Sequence, residues 1–199
     1  MKAHDFPEVY KWLGLNLSTL GCVMLDLEPL PIPTYIIQEY ETGAQVNYDT
    51  WIKENLYFAA DKTRFWIDGW VADKVPHITL LYGLLETAKN YEPHIEAVLK
   101  DWKLEEVVIE DVGFFESPYA DEPYYCIVAH IKKTPELIEG HERLCMLPHV
   151  KTFPGYKAHM TICYIKKDEK FRDDLINQLR VNVGKKIKVS PNINLGGNK

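Results

Sequence analysis

The feature that most constrains this chain is one short pattern that occurs twice: histidine, apolar residue, threonine, apolar residue. Residues 77–80 read HITL and residues 159–162 read HMTI, each inside an apolar run of strand-like composition. Successive side chains of a strand point to opposite faces, so the histidine and threonine of each copy share one face. The two apolar residues of each copy then face a core. The pattern predicts two half-buried strands, each with a polar face.

The polar face of each strand carries residue types that suit acid–base chemistry. If the two strands lie side by side, His77, Thr79, His159 and Thr161 meet in one cleft. An imidazole, with an ordinary pKa of roughly 6.5, can accept or donate a proton near neutrality, and a hydroxyl can donate a hydrogen bond to a phosphate oxygen. The combination predicts a cleft that suits acid–base chemistry. The structural alternative is a pair of strands whose histidines are merely hydrogen-bonded.

These motifs resemble those of a known superfamily. The stretches PHITL (residues 76–80) and AHMTI (158–162) are similar to the paired motifs of the two-histidine (2H) phosphoesterases. That superfamily includes LigT-like 2′-5′ RNA ligases, cyclic phosphodiesterases and viral enzymes that degrade nucleotide immune signals. The resemblance implies an α+β fold: two pseudo-symmetric lobes of mainly antiparallel sheet, flanked by helices, with a central cleft. Ala158, where many members carry proline, and the long segment 28–75 depart from the family pattern.

The resemblance also implies a reaction. It is the hydrolysis of a phosphodiester at a ribose 2′ oxygen, in a 2′-5′ oligonucleotide, a cyclic oligonucleotide signal or a 2′,3′-cyclic phosphate. One histidine would act as base and the other as acid, and the sequence does not say which. Two other functions stay open. One is an inactive nucleotide-binding module, and the other is a protein-interaction domain that uses Tyr10 and Trp12 of an amphipathic amino-terminal arm.

The coarse order of elements is strand, helix, paired strands, helix, strand, helix. Apolar and β-branched runs predict strands at 21–27, 77–82, 106–115, 124–131, 158–165 and 186–189, and helical patterns cover 88–102, 134–148 and 169–179. Thr134 followed by Pro135 is a favourable helix start. We divide the chain into an arm (1–20), one two-lobed domain (21–190) and a flexible tail (191–199).

Several residues near the motifs have two interpretations. Tyr156, in the turn before the second motif, is either a platform for stacking on a nucleobase or a packed turn residue. Lys157 is a candidate substrate-binding cation. Strand parity points Tyr82 and Tyr164 away from the motif face, which favours packing. The same parity puts Cys163 on the motif face, as a small residue on the cleft floor rather than a nucleophile.

A metal site is the weaker interpretation of another cluster. His141, Cys145 and His149 are spaced by four residues, which would align three ligands on a continuous helix. Pro148 interrupts such a helix, so a packed helix end is favoured over a zinc site. We expect no metal and no cofactor.

Composition limits the setting and the partners. The chain has 199 residues and a net charge of −6, which suits one domain and argues against coating long duplex nucleic acid. We expect a small nucleotide, a cyclic oligonucleotide or a short RNA end as ligand. No apolar run reaches the roughly 18 residues of a membrane span, and the first eight residues do not look like an export signal. The four cysteines are widely spaced, which is typical of reduced thiols, so we expect a cytoplasmic location; they are Cys22, Cys126, Cys145 and Cys163. We also expect a monomer.

Overall fold

The computed structural model describes residues 20–28, 76–116, 124–151 and 153–196. Within them, six strands are joined by three α-helices and two short 3₁₀ helices. The strands are β1 (Gly21–Leu27), β2 (His77–Leu84), β3 (Glu106–Glu116), β4 (Tyr124–Ile131), β5 (His159–Lys166) and β6 (Lys186–Gly196). The helices are α1 (Glu92–Val98), α2 (Pro135–Leu144) and α3 (Glu169–Leu179), with 3₁₀ turns at Ala88–Tyr91 and Arg180–Asn182. The predicted arm, apart from Leu20, lies outside the described residues.

The strands pair in the order β1-β2-β5-β4-β3-β6, and β6 pairs again with β1, so that the sheet closes. Every described pairing is antiparallel. Two three-stranded groups can be distinguished, β6-β1-β2 and β5-β4-β3, and each contains one motif strand followed by a helix. Between β2 and β5, one pair of described residues is in register, Ile78 with Met160. The expected α+β fold with mainly antiparallel sheet is confirmed.

Local sequence signals account for most of the element boundaries. The predicted antiparallel pair is β3 and β4, in register from Ile109 opposite Ile131 to Glu116 opposite Tyr125. Helix α2 begins at Pro135, and the Thr134 side chain accepts a hydrogen bond from the backbone of Leu137. Such a cap replaces one of the hydrogen bonds that the first helical turn lacks. These elements form where short-range chemistry predicts them.

Strand β6 corrects the expected flexible tail. Residues 191–196 belong to this strand, and Ile193 and Leu195 lie opposite Leu25 and Val23 of β1. The tail was predicted because the sequence after Val189 is mainly polar. The register with β1 instead skips the proline region and resumes at Ile193, where apolar residues again alternate with asparagines.

The core lies on one side of the motif strands. Ile78, Leu80, Met160 and Ile162 are all fully buried and belong to a single apolar cluster with the inner residues of the other strands. The helices cover this cluster through residues such as Ile95, Leu137 and Leu175, each nearly inaccessible to solvent. No helix within the described ranges has the length and apolarity that a bilayer crossing requires.

The two three-stranded groups form the two lobes, and they meet where β2 contacts β5, at a boundary that we call the seam. Two methionines test the packing at this seam. Met160 is fully buried, whereas Met146 is 77% exposed. Met160→Ala should lower the free energy of unfolding by about 2–5 kcal/mol, because truncation leaves a cavity in the core. The matched change Met146→Ala should alter it by less than about 0.5 kcal/mol. Urea unfolding measures both, and equal effects would contradict the placement of Met160 at the seam.

Candidate active site

The structure brings the four motif residues onto one face of two neighbouring strands. Ile78 and Met160 lie opposite each other and are fully buried, so the residues on either side of them point away from the core. Antiparallel register then sets Thr79 beside His159, and His77 beside Thr161. All four are half-buried. The register and the burial pattern therefore place the four motif residues on a common face.

Both motif strands carry a β-bulge immediately after the motif threonine. In β2, Thr79 lies opposite Met24 and Leu81 lies opposite Val23, which leaves Leu80 as the extra residue. In β5, Thr161 lies opposite Val128 and Cys163 lies opposite Ile127, so Ile162 is the extra residue. A bulge adds one residue to one strand and shifts which face the following side chains take. The two motifs therefore share a backbone irregularity as well as a sequence.

The bulges correct two expectations that rested on strict alternation. Tyr82 lies opposite Cys22 and is 38% exposed, so it returns to the motif face instead of pointing away from it. Cys163 lies opposite Ile127 and joins the buried core, so it does not lie on the cleft floor. Burial raises the pKa of its thiol, which keeps it protonated. A period of two fails beyond each bulge because the extra residue reverses the parity.

The surroundings of His159 determine which ring nitrogen carries the proton and lower the pKa of the ring. Its Nδ1 lies 2.8 Å from the carbonyl oxygen of Lys157, which can only accept, so Nδ1 carries the proton. In the neutral ring Nε2 is then left with a free lone pair. Burial lowers the pKa of His159 below 6.5, and the nearby His130 lowers it further, against the opposing effect of the Lys157 carbonyl. The ring edge of Phe115 packs against it, with centroids 4.9 Å apart.

His130 is a third histidine on this face that motif reasoning missed. It lies opposite His159 on β4, and its ring also packs edge-on against Phe115, at 5.9 Å. Gly113 leaves room for that ring, because a Cβ there would lie 2.7 Å from Nε2 of His130. The alternation of His130 with the buried Ala129 and Ile131 in a predicted strand was the signal that could have located it.

The other motif histidine has a different neighbour. His77 lies opposite Asp26 of β1, and Asn194 of β6 donates a hydrogen bond of 2.9 Å to the Asp26 carboxylate. Asp26 is the one acidic residue of the apolar run 21–27, a signal that sequence reasoning did not use. The two equivalent positions beside the motif histidines therefore hold a carboxylate in one lobe and an imidazole in the other.

The predicted substrate-binding residues are arranged differently from the expectation. The ring of Tyr156 stacks on His141, with centroids 4.0 Å apart and an angle of 7°, and its hydroxyl is buried. One ring face is therefore closed to a nucleobase, and the packed-turn interpretation describes Tyr156. Lys157 is exposed, and its contact with the site is the backbone carbonyl that orients His159.

The four-residue spacing of His141, Cys145 and His149 does not form a ligand cluster. Nδ1 of His141 bonds to the Leu80 carbonyl, and Nδ1 of His149 bonds to the Leu147 carbonyl. Among the described residues, no group of three or more histidine, cysteine or acidic side chains could hold a metal ion. All four cysteines are free thiols, as the sequence predicts.

Two adjacent His-x-Thr strands that turn their histidines and threonines to one face are the arrangement expected for a two-histidine phosphoesterase. The profile of the 2′-5′ RNA ligase superfamily matches residues 53–190, and the chain belongs to that superfamily. Membership supports phosphodiester chemistry as its general activity. No curated protein sequence matches the chain at a significant level.

Two solved structures are similar over most of the chain. Usb1 of Kluyveromyces marxianus is 12% identical and aligns with 92% of this chain and 99% of its own, with a TM-score of 0.47. The same protein with uridine monophosphate aligns over the same shares at 12% identity, with a TM-score of 0.48.

The environment of His159 predicts its titration. The imidazole should titrate below pH 6.5, because burial and the neighbouring His130 both disfavour the charged form. His130→Gln removes one of the causes that lower this pKa and should raise the midpoint towards 6.5. NMR titration of the His159 ring protons measures both values. A midpoint above 6.5 in the unmodified protein would contradict the described environment.

Proposed function

We propose that this chain is a phosphodiesterase that cleaves a phosphodiester at a ribose 2′ oxygen through two-histidine acid–base catalysis. The proposed catalytic residues are His77, Thr79, His159 and Thr161. The observation that carries the proposal is their common face on β2 and β5, set by the buried pair Ile78 and Met160. Two imidazoles and two hydroxyls are the groups that a phosphoryl transfer requires, and the scheme needs no metal.

For a 2′-5′ linkage, the reaction proceeds by internal attack. One histidine takes the proton of the adjacent 3′ hydroxyl, whose oxygen then bonds to phosphorus. The bond from phosphorus to the 5′ oxygen breaks, and the other histidine protonates that oxygen, which leaves a 2′,3′-cyclic phosphate. Water opens the cyclic phosphate in a second step with the same groups. The hydroxyls of Thr79 and Thr161 donate hydrogen bonds to the nonbridging oxygens, where negative charge increases in the transition state.

The unequal neighbours of the histidines suggest how the two roles divide. Burial and His130 favour the neutral form of His159, and its proton is held on Nδ1, so Nε2 suits a general base. With His159 as the base, the other motif imidazole, His77, is left for the acid role; it lies opposite Asp26 of β1. We therefore assign His159 as the base and His77 as the acid for the first step. The roles reverse in the second step.

The charge of the chain limits the size of the ligand. The net charge of −6 disfavours binding of a long phosphate backbone, so the proposed substrate is a small nucleotide, a cyclic oligonucleotide or a short RNA end. Tyr82, exposed on the motif face, is a suitable surface for a base to stack on. It replaces Tyr156 in that role.

Loss of either motif histidine tests the activity. His77→Ala and His159→Ala should each lower turnover by about 10³-fold, because a positioned acid or base contributes about 10²- to 10⁴-fold. Both side chains are half-buried, so thermal stability should change little. The assay uses 2′-5′ and 3′-5′ linked dinucleotides and a 2′,3′-cyclic phosphate in EDTA. His94→Ala, at an exposed histidine of α1, is the control. Unchanged turnover in either motif variant would reject the mechanism.

The division of roles can be tested with a better leaving group. Uridine 2′-(p-nitrophenyl phosphate) releases an oxygen that needs no proton, so the general acid becomes dispensable. His77→Ala should then recover to within about tenfold of the unmodified enzyme, whereas His159→Ala should stay about 10³-fold slower. Release of p-nitrophenolate gives both rates. Recovery of the His159 variant alone would show that the assignment is reversed.

A further inference from the structure

His141 lies outside the motif face but contacts the chain close to both motifs. It belongs to α2, which follows β4 along the chain, yet this helix packs against β2 of the other lobe. The segment after α2 continues along the same strand, because Val150 donates its backbone hydrogen bond to Gly83 and Leu85 donates to Pro148. The second half of the chain therefore reaches across to the first motif strand.

The first contact of His141 is with the bulge that follows the first motif. Its Nδ1 lies 2.6 Å from the carbonyl oxygen of Leu80, the extra residue of β2. A carbonyl only accepts, so Nδ1 donates. A bulged residue is left out of the regular ladder, and an outside donor is needed to satisfy its buried carbonyl. His141 thus holds the backbone one residue beyond Thr79.

The second contact of His141 is with the turn that leads into the other motif. Its ring lies flat against Tyr156, three residues before His159, with 4.0 Å between the centroids. The remaining nitrogen, Nε2, is 3.5 Å from Sγ of Cys145. With Nδ1 protonated, Nε2 accepts from this thiol, which burial keeps in its protonated form by raising its pKa. One donor, one acceptor and one ring face of His141 are therefore engaged.

The contacts of His141 matter because few residue pairs join the two lobes where β2 meets β5. Among the described residues, β2 and β5 share a single pair in register, Ile78 with Met160, whereas β4 and β5 share seven. A ladder this short contributes few backbone pairs that fix the separation of the two strands. Catalysis at one phosphate needs both histidines at a fixed separation, and a misplacement of about 1 Å can cost about 10²-fold in rate.

We propose that His141 is a positioning residue that joins the two motifs across the seam, through the Leu80 carbonyl on one side and the Tyr156 ring on the other. The link sets the separation of His77 and His159. It rests on the proposed function, because separation matters only if both histidines act on one phosphate. His141 itself touches neither the substrate nor the reacting atoms.

Two substitutions separate the contacts of His141. His141→Asn keeps a donor near the position of Nδ1 and loses the ring, whereas His141→Phe keeps a ring for stacking and loses the donor. His141→Phe should lower kcat by about 10- to 100-fold and change KM by less than about threefold, because binding groups stay and alignment is lost. His141→Asn should lower kcat by a comparable factor, because loss of the ring breaks the same link at Tyr156. The same two changes at the exposed His94 serve as matched controls and should alter neither constant.

Activity is measured well below the midpoint of thermal unfolding of each variant. A loss of stability without a change in kcat would show a purely structural role and overturn the proposal. Unchanged kcat in either the Asn or the Phe variant would also overturn it, because the link would then not need both of its ends.

An NMR measurement, which does not depend on catalysis, separates this test from the test of the proposed function. NMR of the histidine rings should show His141 protonated on Nδ1, and His141→Phe should shift the ring signals of His159. If the unmodified protein cleaves none of the nucleotides, the proposed function fails, and the His159 signals still decide whether the link exists. Unmoved His159 signals in the Phe variant would reject it.

Discussion

The contact between Ile78 and Met160 is the constraint on which the candidate site depends. Each is the apolar residue between a histidine and a threonine, and both are fully buried where the two lobes meet. Removing large apolar side chains from water favours this contact, and strand alternation then forces the flanking polar residues to the opposite face. The placement of the four polar side chains thus follows from the burial of two apolar ones.

Around that contact the two lobes are alike in backbone and unlike in chemistry. Both strands have a bulge directly after the threonine, which turns the residues beyond it to the other face. The strands next to them differ, because Asp26 accompanies His77 and His130 accompanies His159. A carboxylate favours a charged imidazole and a second imidazole disfavours it. The two equal motifs therefore lie in unequal surroundings.

Features that depend on neighbouring residues could be predicted from the sequence, whereas features that depend on distant residues could not. The cap at Thr134 and the first-turn Pro135 involve neighbours in the chain, and helix α2 begins where they predict. Tyr82 and Cys163 were assigned to the wrong faces, because a bulge depends on how a strand fits its partner. The strand beyond Pro191 was missed for a related reason: its pairing with β1 joins opposite ends of the described chain.

The sequence by itself determined the motif chemistry and the alternation that separates polar from apolar residues, because both are written in neighbouring positions. It also indicated the superfamily and the mainly antiparallel α+β fold. Only the tertiary structure decided which residues stand beside each histidine, and that Tyr156 stacks on His141 rather than facing the groove. Those neighbours come from strands and helices distant in the chain. Their contacts depend on register and packing, which no local pattern specifies.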